Sequence, residues 1–71
     1  MTSVIEQDLS ELGREIAERQ RLIEDQLVLI EVLERDGHDV LGQEIALQQE
    51  RSRLAVQIAR QFELLQERLP T

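Results

Sequence analysis

The stretch LERDGHDVLG, Leu33 to Gly42, lies near the middle of a 71-residue chain and holds its single histidine between two aspartates. Two readings compete for it. Asp36, His38 and Asp39 are residue types of an acid/base or metal site, whereas Gly37 followed by Asp39 is the chemistry of a chain reversal. A metal site needs several ligands converging from different elements, and one histidine in a chain without cysteine falls short of that. The reversal needs nothing further. Glycine accepts the left-handed conformation that stops a helix, and an aspartate shortly after it can accept from the free amides that start the next one. Gly37 and His38 therefore read as the turn and Asp39 as an N-cap. His38 reads as a solvated residue able to hydrogen-bond the last carbonyls of the first helix. Asp36 is less comfortable, because an acid at a helix carboxyl end opposes the helix dipole.

Periodicity on either side of the turn gives the fold. Upstream, Ile5, Leu9, Leu12, Ile16, Ile23, Leu27, Ile30 and Leu33 recur mostly three or four apart, the spacing of one helix face. Ser3 followed by Glu6 has the capping-box spacing that opens such a helix. Downstream, Val40, Leu47, Leu54, Ile58, Phe62, Leu65 and Leu69 fall on one face when stepped at about 100° per residue, and Pro70 closes the run. The spacing predicts an all-α chain with one domain over residues 1–71: a helix over 3–36, a turn at 37–38 and a helix over 39–69. So short a connection makes the two helices antiparallel neighbours in a coiled-coil-like hairpin. Each would be roughly 45 to 50 Å long, with facing residue numbers summing to about 75. Ile30 then faces Ile45, Ile23 faces Leu54, Ile16 faces Ile58, Leu12 faces Phe62, Leu9 faces Leu65 and Ile5 faces Leu69. Around Arg19, Gln20, Gln26, Gln48 and Arg51 the stripe turns polar, and polar groups in a seam set register or oligomer state at some cost in stability.

Composition bounds what such a hairpin can be. A chain this short seldom stabilises a lone core, and without cysteines no disulfide helps it, which leaves oligomerisation. Apolar residues make up 41% of it, too many for a disordered chain, and the formal charge of −7 disfavours nucleic acid or anionic membrane as the main partner. Residues 1–36 carry ten of the fifteen acids but only four of the eight basic residues, all arginines, so the first helix holds nearly all the net charge. Glu15 with Arg19 and Glu31 with Arg35 have the favourable i,i+4 order. Glu11, Glu15, Glu18 and Asp25 form an acidic face that reads as solvated, or as a weak docking surface for a basic partner.

The segment LVLIEVL, Leu27 to Leu33, is apolar nearly all round. With Leu27 and Ile30 on the seam, Leu22 and Leu29 fall on one flank and Val28 and Val32 on the other. Leu41 and Ile45 add further apolar surface across the turn. One neighbouring helix cannot cover Leu22, Val28, Leu29, Val32, Leu41 and Ile45, and contiguous apolar surface of that kind marks an association site. Two hairpins closing into a four-helix bundle as a homodimer is the simplest solution.

No catalytic, cofactor-binding or metal residue is expected. A hairpin has no enclosed pocket, the di-iron Glu-x-x-His pattern fails because Arg35 stands three before His38, and the three glycines are isolated rather than clustered in a phosphate loop. The expected function is a non-catalytic oligomerisation or protein-interaction module with itself as first partner. The alternative is a small regulator that takes a target protein's helix into its apolar groove. Nucleic-acid association through Arg53 and Arg60 is weaker still, with no aromatic stacking platform. The amino terminus lacks the basic and apolar regions of a signal peptide, and no apolar run is long enough to span a bilayer, so a cytoplasmic location is expected.

Around the turn, IEVLERDGHDVLGQEIALQQ resembles a group of small uncharacterised helical proteins of alpha-proteobacteria, rhizobial species above all, in which Ile-x-x-Leu-x-x-x-Gly-His-Asp joins two helices. The matching residues are Ile30, Leu33, Gly37, His38 and Asp39. Val40 and Leu41 depart from the threonine and later alanine usual there. The resemblance implies a bacterial helical hairpin and brings no activity with it.

Overall fold

A computed structural model describes residues 3–69. Two helices, α1 (Val4–Arg35) and α2 (Leu41–Arg68), pack against each other in a rod of 55 × 19 × 13 Å, and no strand occurs among the described residues. Pro70, expected to close the second helix, lies outside the described residues.

The caps follow from local chemistry. At the start of α1 the Ser3 hydroxyl accepts from the Glu6 amide at 3.1 Å, satisfying a donor that has no partner within the helix. At its end Gly37 takes φ +82°, its amide donates to the Glu34 carbonyl at 3.0 Å, and the His38 amide donates to the Leu33 carbonyl at 2.9 Å. This pair of bonds is the Schellman closure, which requires a left-handed residue at the glycine position. Asp39 corrects the expected N-cap by one residue. Val40 is the N-cap, its carbonyl accepting from the Glu44 amide, while the Asp39 carboxylate accepts from the Leu41 amide at 3.0 Å. The acid still satisfies a free amide at the positive end of α2, but from the residue before the cap, so α2 starts one residue later than predicted.

The seam alternates strictly between steps of three and four, the coiled-coil rule. On α1 it is made by Ile5, Leu9, Leu12, Ile16, Arg19, Ile23, Gln26, Ile30 and Leu33; on α2 by Val40, Gln43, Leu47, Glu50, Leu54, Gln57, Gln61 and Leu64. Ile16, Ile23, Ile30, Val40, Leu47 and Leu64 are buried, and Ile23, Ile30, Val40 and Leu47 form one cluster with Leu33 and Leu54 packed on it. Of the predicted pairs, only Ile23 and Leu54 both belong to this packed group. Leu27 yields its seam place to Gln26, Ile45 points outward, and Ile58, Phe62, Leu65 and Leu69 are exposed.

The reason is a change of step. From Leu54 the apolar residues advance by four and four again, to Ile58 and Phe62, and each such step turns the stripe about 40° around the helix. The α1 stripe keeps its alternation and cannot follow. Arg19 decides the conflict: with α2 rotated to present Glu50 and Gln57 the guanidinium has acceptors, whereas an Ile58–Phe62 face would bury a charge without one.

Candidate interaction surface

The polar centre of the seam is a network. Arg19 Nη1 donates to Glu50 Oε2, Arg19 Nε donates to Gln57 Oε1 at 2.8 Å, and Arg53 Nη1 donates to Glu50 Oε1 at 2.9 Å. The Arg19 and Glu50 side chains keep only 24% and 21% of their exposure. Arg19 therefore reaches across the seam instead of pairing with Glu15 along its own helix, and of the polar residues predicted there only Arg19 and Gln26 take part. Gln20, Gln48 and Arg51 are exposed. Glu50 and Gln57 carry no apolar signal of a seam position, yet three-four alternation from Val40 passes through both. Gln26 contributes a buried side-chain oxygen with no hydrogen-bond partner. One such atom costs on the order of 1–3 kcal/mol, a penalty consistent with a residue that sets register.

Two helices side by side make a ribbon with two broad faces. In an antiparallel pair, residues that directly follow the second of each three-apart seam pair (after Gln26 on α1; after Gln43, Glu50, Gln57 and Leu64 on α2) share one face. On that first face lie Leu27, Glu44, Arg51, Ile58 and Leu65, continued outward by Leu41, Ala55, Phe62 and Leu69, with Ile45 at its outer edge. The second face carries Leu22, Leu29 and Val32. The predicted association residues are all exposed, but they do not form one patch. Leu22 and Leu29 share their face with Val32, Val28 stands on the back of α1, and Leu41 and Ile45 belong to the face of Leu27. Placing Val32 with Val28 is corrected by the seam running through Gln26 rather than Leu27.

Beside the turn the first face holds an open groove of about 910 Å³ whose apolar lining comes from Leu27, Ile30, Leu41, Ile45 and Leu47, with Glu44 and Arg51 bordering it and Gln48, Gln49, Ser52 and Arg53 carrying it round the outside of α2. Toward the open end the same face bears Ile58, Phe62, Leu65 and Leu69; Phe62 and Leu69 are 62% and 66% exposed. The second face is acidic. Asp8, Glu11 and Glu15 surround Arg60 and Leu64 in a shallow depression of about 180 Å³.

The remaining predicted positions stand apart. His38 is exposed in the turn, and its backbone amide makes the helix-capping bond. Arg53 and Arg60 are engaged by carboxylates of their own helix, Glu50 and Glu63 at 2.9 and 3.4 Å, and Glu31 with Arg35 forms the predicted pair at 3.2 Å. Among the described residues no group of three or more His, Cys, Asp or Glu could hold a metal ion, and no helix is long and apolar enough to cross a membrane.

Comparison of the chain with protein-family models, with curated proteins and with solved structures returned no match.

Proposed function

We propose that the protein is a non-catalytic oligomerisation module that works as a homodimer of hairpins in a four-helix bundle. One observation carries this reading: large apolar side chains, Leu41, Ile45, Val28, Phe62 and Leu69 among them, stay more than half exposed, while no side chain of the hairpin's own core is fully buried. Burying a side chain of this size completely is worth about 1.5–3 kcal/mol. The half still wetted on Leu41, Ile45, Ile58, Phe62, Leu65 and Leu69 is therefore worth on the order of 5–9 kcal/mol per protomer. Two protomers together exceed most estimates of association entropy, about 4–15 kcal/mol.

The groove beside the turn favours a second reading, in which a small regulator lodges an amphipathic helix of another protein there. Both readings use the same chemistry, exclusion of water from aliphatic surface. Light scattering behind a sizing column separates them from a free-standing hairpin. A mass of two chains at tens of micromolar, with a melting temperature that rises with protein concentration, is the expected result. A fully helical monomer at that concentration refutes the homodimer.

A further inference from the structure

Resting on the homodimer reading, we infer that the two copies join through α2, antiparallel on its first face about a two-fold axis at Ala55, so that Phe62, Leu65 and Leu69 of each copy fill the groove beside the other's turn. The occupant is a second copy of this chain, and three features of the hairpin point to it.

The first is shape. Bulk and groove lie on the same face at opposite ends: the groove formed by Leu27, Leu41 and Ile45 near the turn, and the protruding Phe62, Leu65 and Leu69 at the open end. With Ala55 at the dyad, Leu41 meets the partner's Leu69, Ile45 meets the partner's Leu65, and Gln48 meets the partner's Phe62. Stacking the copies with both turns at one end would set groove against groove and Phe62 against Phe62, leaving a void at one end and a collision at the other. The narrow Ala55 lies where the two helices cross.

The second is charge. Residues 39–71 hold five acids and four arginines, whereas residues 1–36 hold ten and four. An α2-on-α2 contact places the nearly neutral helices inside and the two acidic α1 helices outermost, where water and salt screen them.

The third is area. The broad face measures 55 by 19 Å, and the α2 half of it offers on the order of 500 Å² per protomer, the size of a small, dissociable interface rather than of an obligate one.

The chain has no cysteine, which makes directed cross-linking clean. Ala55→Cys should give a disulfide-linked dimer under mild oxidation, while Val56→Cys, one residue along and 69% exposed on the second face, should stay unlinked. Phe62→Glu should shift the light-scattering mass from two chains to one with helicity retained, because Phe62 lies outside the hairpin seam. Leu29→Glu, on the second face, should leave the mass at two. A dimeric wild type in which Val56→Cys links and Ala55→Cys does not, or in which Leu29→Glu dissociates the dimer and Phe62→Glu does not, overturns the α2 pairing and leaves the homodimer standing. A wild-type monomer overturns both.

Discussion

Truncating Glu50 to alanine tests whether the polar centre of the seam holds the hairpin in register. The Glu50 carboxylate accepts from Arg19 across the seam and from Arg53 on its own helix, and Arg19 is otherwise held by Gln57 at 2.8 Å. Removing one partner of a fully buried ion pair costs about 3–5 kcal/mol, mostly because the other charge is stranded, whereas an exposed pair contributes at most about 1 kcal/mol. With 24% and 21% of the Arg19 and Glu50 side chains still wetted, Glu50→Ala should cost about 2–3 kcal/mol. At about 4–8 °C per kcal/mol for a chain of this size, the midpoint should fall by roughly 10–20 °C. The internal control is Glu31→Ala. Glu31 and Arg35 are 70% and 72% exposed, so that change should stay below about 0.5 kcal/mol. The assay is thermal and urea unfolding followed by circular dichroism at one fixed protein concentration, since self-association shifts the midpoint by mass action. Replacing both partners at once, Arg19→Met with Glu50→Leu, should recover most of the loss, because two apolar groups of similar volume leave no stranded charge. If Glu50→Ala costs no more than Glu31→Ala, or the double variant loses the sum of the single ones, the seam network does not act as described.

Gln26→Leu removes the buried oxygen that lacks a partner and should raise the urea midpoint by an amount equivalent to about 1–2 kcal/mol; a lower midpoint would show that the amide is satisfied. One substitution should have opposite signs at two glycines. Gly37→Ala forces a Cβ into φ +82° and should cost about 1–2 kcal/mol, while Gly42→Ala, with open space in the first turn of α2, should gain up to about 1 kcal/mol, both read from equilibrium unfolding.

The sequence by itself determined the elements and the reversal between them. Gly37 stops α1 because only a residue without Cβ takes its backbone angle at no cost, and Ser3 caps the other end through a bond to Glu6 three residues away. These are local effects, decided within one helical turn. The strict spacing on α1, Ile5 through Leu33, likewise gave its buried face, with Leu27 the one apolar residue displaced from it. Which face α2 turns inward was not local. Its apolar residues mark two stripes that diverge after Leu54, and nothing within α2 prefers one to the other. The choice belongs to Arg19 on the other helix, whose guanidinium needs Glu50 and Gln57, and a charge deprived of water outweighs the burial of Ile58 and Phe62. The rejected stripe then faces solvent on the same side as Leu41 and Ile45. Only the packed pair of helices shows that these residues, distant in the chain, lie along one face, because that depends on how α2 is rotated against α1.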